Sequence, residues 1–322
     1  MLETPGPLRP DGTGREPLRE PCPAQRSAAA HPRQIPETER GLLGDSGDAA
    51  FLRPVGRTPP GRSDGARGTG SARPVRMFGQ AFAAGPAFRI LAAAAARPKT
   101  GPRLVVTANV DHIVLLSQDA AFRAAYAGAA ARTLDGTPLV WLARLRGHPA
   151  VRVTGHDLLA SACFERPAAG QRIFLVCARE NVAQAMRHRL VQSGVGPGSI
   201  ATCVPPYGFD RDAAYGQALA ARILAHGTTL LVMGVGAPRS EIWVDRQGAA
   251  LGAPVVLAVG DALGVAAGLV PRAPVLLQRA GLEWAFRFAH APRRLFRRYF
   301  VRSWRFLGLA AREVSDGSSR MP

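Results

Sequence analysis

Thr107, Asn109 and Asp135 are the residues whose types and spacing first suggest a site. Thr107 and Asn109 end the run Leu104-Val105-Val106-Thr107-Ala108-Asn109, and Asp135 stands in Leu134-Asp135-Gly136 about one helix later. The apolar run Leu104-Val105-Val106 is too short for a helix and reads as a buried strand. In open α/β sheets ligands bind at the C-terminal ends of such strands. A hydroxyl, an amide and a carboxylate thus reach one rim, a set able to hydrogen-bond a polar ligand. The plain alternative for Asp135-Gly136 is a turn, which is what Asp-Gly most often marks.

The elements that must position these groups begin near Phe78. Phe88–Ala96 reads as a first helix, ended by Arg97-Pro98. The Leu104–Thr107 strand follows, and then a helix to Arg132 with Phe122, Ala125, Tyr126 and Ala129 on one face. After the Asp135 turn, a helix through Leu142–Leu145 is closed by Gly147, and Thr154–Asp157 caps the next, Leu158–Phe164. Strands at Arg172–Cys177, Ile200–Val204, Leu230–Gly234 and Val255–Val259 alternate with helices at Asn181–Gln192, Asp210–His226 and Pro238–Leu251. Short apolar strands joined by helices predict a doubly wound, Rossmann-like α/β fold with a parallel sheet covered on both faces. No internal repeat is visible.

Composition divides the chain further. Residues 1–76 are rich in Pro, Gly and Arg without apolar periodicity, and read as a disordered extension; Met77-Phe78-Gly79 reads as the natural start of the folded part. Residues 77–270 form the α/β domain, residues 271–312 a basic helical appendage, and residues 313–322 a tail. The net charge is +18, and Lys99 is the only lysine among 41 basic residues. Between Arg272 and Arg312 ten arginines face one acid, Glu283, a local net of +9. Four scattered cysteines without metal-ligand spacing read as reduced and buried. No apolar run approaches the ~18 residues that span a bilayer. The expectation is a cytoplasmic protein, peripheral on the inner face of the cytoplasmic membrane.

Further motifs lie at strand ends. Gly234-Val235-Gly236-Ala237-Pro238 follows a strand and opens a helix, a turn whose glycines let a diphosphate approach backbone N–H groups. It is not G-x-G-x-x-G, which argues against a dehydrogenase. Tyr207, in Pro205-Pro206-Tyr207-Gly208-Phe209, could stack on a base or simply pack in a loop. Asp210-Arg211-Asp212 imitates a D-x-D metal motif but reads better as a helix cap, so no metal site is assigned and a divalent cation is left open. In the appendage, Trp284, Phe286, Phe288, Phe296, Tyr299, Phe300, Trp304 and Phe306 interleave with arginines. Basic heads on aromatic bodies describe helices in a membrane interface, at ~1 kcal/mol per basic residue beside anionic lipid.

Together these motifs carry a resemblance. Thr107-x-Asn109, Asp135-Gly136, Arg152-Val153-Thr154-Gly155-x-Asp157, Gly234-x-Gly236-x-Pro238-x-x-Glu241-x-Trp243, Arg272-Ala273-Pro274 and Gly281-Leu282-Glu283-Trp284-x-x-Arg287 stand in order over roughly 230 residues, Phe78 to about Leu307. This pattern resembles the WecG/TagA/CpsF family of bacterial glycosyltransferases, glycosyltransferase family 26. Ser240 stands where the family has glutamine, and Gly264 where it has aspartate, with Asp261 one turn earlier.

The resemblance implies inverting transfer of a sugar (N-acetylmannosamine, its uronic acid or glucose) from a UDP-sugar to a saccharide on undecaprenyl diphosphate. It implies Asp135 as general base, with Thr107 and Asn109 lining the donor-sugar pocket. Tyr207, Gly236, Pro238, Ser240, Glu241, Asp261 and Arg152 are the candidate substrate-binding residues. Arg272, Arg287, Arg293, Arg294, Arg297 and Arg298 are candidates for the lipid diphosphate and the anionic membrane surface. No cofactor and no nucleic-acid partner are expected, and homo-oligomerisation is left open. The competing reading, from charge alone, is a non-catalytic basic protein that binds nucleic acid or acidic polymer.

Overall fold

Runs of Val, Leu and Ile form the strands, as their length requires. The computed structural model describes residues 73–271, 273–274, 276–277, 283–290, 292–296 and 303–318. A hairpin comes first, β1 (Val75–Met77) paired antiparallel with β2 (Gln80–Phe82). Then follow α1 (Ala87–Ala95), β3 (Arg103–Ala108), α2 (Val110–Gln118), α3 (Ala120–Gly128), β4 (Ala131–Leu134), α4 (Thr137–Leu145) and α5 (Gly155–Ala160). The second half runs β5 (Ile173–Val176), α6 (Glu180–Gln192), β6 (Ile200–Cys203), α7 (Ala213–Ala225), β7 (Leu230–Met233), α8 (Arg239–Gln247), β8 (Val255–Ala258) and α9 (Ala262–Ala266). Three further helices are α10 (Glu283–His290), α11 (Pro292–Phe296) and α12 (Ser303–Ser318).

Six strands form one parallel sheet in the order β4-β3-β8-β7-β5-β6. Successive side chains point to opposite faces, and both faces are buried. Leu104, Val106 and Ala108 of β3 join a core under α2, α3, α4, α7 and α8. Val105, between them, joins a second core under α1, α5, α6 and α9. This is the doubly wound α/β architecture expected from the alternation of strands and helices.

Two local expectations need correction. The helix expected to run to Arg132 breaks at Asp119, whose side chain accepts from the Phe122 N–H at 3.0 Å and caps α3. The chain then forms β4, paired in register with β3 from Val105↔Ala131 to Ala108↔Leu134. An edge strand carrying Arg and Thr has no apolar run to announce it. Arg132 instead reaches back to the Ala127 carbonyl at 2.8 Å and closes the end of α3.

The outer boundaries also differ. The boundary expected at residue 77 falls at the end of β1, where Val75 and Met77 are buried. The tail expected from residue 313 continues α12 to Ser318. α12 packs against α2, and Phe306, expected among membrane-facing aromatics, is buried in the core with its ring centroid 6.1 Å from that of Phe78. Glu313 accepts from the Phe78 N–H at 2.8 Å and pairs with Arg146 at the end of α4. Residues 1–72, where the disordered extension was expected, lie outside the described residues.

Phe306→Ala should therefore lower stability by about 3 kcal/mol or more, read as a reduced urea midpoint. A midpoint equal to wild type would mean that α12 is not part of the folded core.

Candidate active site

β3, β4, β7 and β8 end at one rim, and a cleft of about 340 Å³ opens there. Its walls include Thr107 near the end of β3 and Asn109 beyond it, Asp135 beyond β4, Gly234 and Gly236 beyond β7, and Asp261 beyond β8. The cleft lies where β3 has one neighbour reached directly in sequence, β4, and another reached last, β8. Such a switch point leaves room for ligands because the adjoining connections lead away in opposite directions.

Each wall has a local cause. Asn109 is the N-cap of α2, its Oδ1 accepting from the N–H groups of Asp111 at 3.0 Å and His112 at 3.3 Å. Capping occupies its carbonyl oxygen and orients the amide. Thr107 is buried, and its hydroxyl donates to the Ala258 carbonyl across the sheet at 3.4 Å. Asp135 is fixed by its own N–H, which donates to the Ala108 carbonyl at 2.8 Å. A side chain at position 136 would meet the Asn109 Cα at 3.2 Å, so the glycine lets the two strand ends close on each other.

Arg152 braces Asp135. Its Nε donates to the Asp135 carbonyl at 2.8 Å, and its Nη2 lies 3.9 Å from Oδ1. The bracing segment runs beside β4, with the Val153 N–H donating to Leu134 and the buried Thr133 hydroxyl donating to Val153, both at 2.9 Å. A capping box then starts α5, in which the Asp157 N–H meets the Thr154 hydroxyl at 3.1 Å and the Thr154 N–H meets Asp157 at 2.9 Å.

Opposite Asp135 stands the turn into α8. A Cβ at Gly234 would fall 2.6 Å from Leu263 and 3.3 Å from the Val176 carbonyl, and Gly236 has φ +82°. Both positions thus require glycine. α8 directs its N-terminal N–H groups and the positive end of its dipole towards the cleft. Ser240 is buried, with its hydroxyl on the Gly236 carbonyl at 3.3 Å. Glu241 is 1% exposed; burial pushes its carboxyl up to about 7, opposed by a backbone hydrogen bond.

The structure thus gathers Thr107, Asn109, Asp135, Gly236, Ser240, Glu241 and Asp261 in one cleft. Asp261, and not Gly264, opens on it; Gly264 packs on Val270. Arg152 acts from behind Asp135, and Pro238 precedes α8 outside the lining. Tyr207 is 95% exposed beyond the lining, but the Arg239 guanidinium lies 5.2 Å from its ring centre. Asp212 caps α7 through the Tyr215 N–H at 3.0 Å, as its position suggested. Arg293 is exposed on α11, Arg287 and Arg294 belong to α10 and α11, and Arg272, Arg297 and Arg298 lie outside the described residues.

Two cleft residues had little signal in the sequence. Arg239 lines the cleft and is anchored to the Val235 carbonyl at 2.7 Å; only its place in the turn motif pointed to it. His112 also lines it, although it is buried in α2 with Nδ1 on the Tyr126 hydroxyl. Burial raises the Tyr126 hydroxyl well above its usual range, reinforced by Glu241 nearby. The thiols of Cys163 and Cys177 are raised to about 12 by burial, which removes them as nucleophiles at neutral pH.

The model of the Glycosyl transferase WecG/TagA/CpsF family matches residues 76–320. The chain belongs to this family. It is a glycosyltransferase. It is similar to the N-acetylglucosaminyldiphosphoundecaprenol N-acetyl-beta-D-mannosaminyltransferases of Staphylococcus aureus strains NCTC 8325 / PS 47 and COL. Each is 25% identical over 197 residues, which cover 60% of this chain and 74% of the relative. The family match begins within β1 and includes α12, the elements that the sequence left at the margins.

Glu241 gives the fold a pH dependence. Its carboxyl is raised in the folded state, so its contribution is full below the unfolded value near 4.5 and is lost as pH rises towards about 7. The loss is on the order of 3 kcal/mol. Glu241→Gln should flatten this fall, seen as melting temperatures that converge with wild type at pH 5 and exceed it at pH 8. Parallel pH profiles would refute the assignment.

Proposed function

We propose that this enzyme transfers a sugar, with inversion, from a UDP-sugar to a saccharide carried on undecaprenyl diphosphate, in the assembly of a cell-surface polysaccharide. The observation that carries this reading is the placement of Asp135, braced by Arg152, across one cleft from the glycine turn of α8. A nucleoside diphosphate sugar bound with its diphosphate at that turn would put the sugar's anomeric carbon between the two walls.

In this reading the acceptor hydroxyl attacks the anomeric carbon, the bond to the diphosphate oxygen breaks, and UDP leaves with the electron pair. Asp135 takes the proton of the attacking hydroxyl. The α8 N-terminus and Arg239 meet the negative charge that grows on the leaving diphosphate. Thr107 and the Asn109 amide bond the sugar, and Tyr207, held by Arg239, reaches the base. A single displacement on an α-linked donor yields a β product, the configuration in the relatives' names. Those names make N-acetylmannosamine the first sugar to test, before its uronic acid and glucose.

The acceptor is lipid-linked, and the C-terminal helices suit that role. Trp284, Phe296 and Trp304 are 45%, 53% and 70% exposed, and Arg293 is exposed among them. None of the described helices is long and apolar enough to cross a membrane. Contact is with the anionic surface, where the arginines of this segment hold the lipid diphosphate.

The test is UDP release by the full chain from a panel of UDP-sugars, with a short prenyl-diphosphate saccharide as acceptor. One sugar should give acceptor-dependent release. Asp135→Asn should lower turnover by ~10²–10⁴ while UDP affinity stays within a few-fold. Full turnover in that variant would remove Asp135 as the base, and binding of nucleic acid without any UDP release would favour a basic binding protein.

A further inference from the structure

Glu241 has the chemistry of a ligand group rather than of a cap. It lies in the first turn of α8, where an ionised carboxylate is ordinarily welcome and solvated. Here the side chain is 1% exposed, lines the cleft, and its Oε2 has no hydrogen-bond partner among the described residues. A buried polar atom without a partner is costly, and in a binding site it points to the ligand that completes it.

The surroundings decide which form is present. From α3, the Tyr126 hydroxyl, kept neutral by burial, lies near Glu241, and from α2, Asp111 and His112 line the same cleft. Asp135 and Asp261 stand beyond β4 and β8. From α7, the Tyr215 hydroxyl is turned to Cys203 at 3.5 Å. Arg239 is the neighbouring cation in α8, and it is anchored to Val235 and stacked over Tyr207. Burial therefore favours the neutral acid, consistent with a carboxyl raised to about 7.

We infer that Glu241 binds the donor as a neutral acid, donating its carboxyl hydrogen to a diphosphate oxygen at the N-terminus of α8, so that binding takes up one proton wherever the free carboxyl is ionised. This rests on the donor being a nucleoside diphosphate sugar. An ionised Glu241 would face the diphosphate charge to charge, so donor affinity is set by its protonation. The proton comes from solvent when the donor binds and returns when UDP departs. It is separate from the acceptor proton taken by Asp135.

Calorimetric titration of UDP into the full chain, in two buffers of different protonation enthalpy, measures the uptake directly. Near pH 8 wild type should take up nearly one proton more than Glu241→Gln; the terminal phosphate of UDP titrates alike in both and cancels. Wild-type affinity, relative to this variant, should fall about tenfold per pH unit above about pH 7. Equal uptake in the two proteins would overturn the inference while leaving the donor reading intact. Absence of UDP binding in folded protein at every pH would overturn both. Should Glu241→Gln fail to fold, wild type titrated with a UDP-sugar, whose phosphodiesters stay ionised throughout, gives the uptake alone. A pH-independent affinity there would equally refute the proposal.

Discussion

A parallel sheet buried on both faces leaves polar groups few places to act, and the rim where its strands end is the foremost. Here β3 feeds Leu104, Val106 and Ala108 into one core and Val105 into the other, so its apolar run is closed to a ligand. The polar residues Thr107 and Asn109 are placed where the apolar run stops. The rest of the site depends on bringing β4, β7 and β8 to that same level. Register does this: Thr107 pairs with Thr133, and Met233 with Ala258, so the polar continuations emerge together.

Close approach then sharpens the cleft. Gly136 lets the Asp135 turn lie on the Asn109 backbone, and Gly234 lets the end of β7 pass beside Leu263 and Val176. With these contacts Asp135 and the glycine turn of α8 become walls of one cavity. Arg152 supplies the brace from outside, because the segment after α4 is stitched to β4 through Val153 and Thr133. The cleft also encloses Glu241, whose burial lowers stability at neutral pH and whose carboxyl is the one proposed to bond a diphosphate. Stability and binding pull on that residue in opposite directions.

The appendage is joined to the domain at its far end as well as its near one. α12 returns to the core through Phe306 and to the hairpin and α4 through Glu313. The stretch between α9 and α12 therefore leaves from beside the cleft and ends on the α2 side of the sheet. Aromatics that look alike in the sequence divide accordingly: Phe306 is buried, while Trp304, two residues earlier, is 70% exposed. Helical spacing separates the two faces of α12, and only one of them meets the core.

The sequence alone determined the doubly wound fold, because short apolar runs and helical periods each have few structural meanings. It also determined Thr107, Asn109, Asp135 and the α8 turn, because polar groups at the ends of such runs and glycines between strand and helix leave local marks. It did not mark β4, an edge strand with Arg132 and Thr133 in place of an apolar run, nor α12, whose partners lie more than 150 residues away. Tertiary structure alone decided that Asp261 rather than Gly264 faces the cleft, that Tyr207 stands outside it beside Arg239, and that Glu241 is buried there. Burial and mutual distance are properties of packed neighbours, and a chain read residue by residue contains neither until it folds.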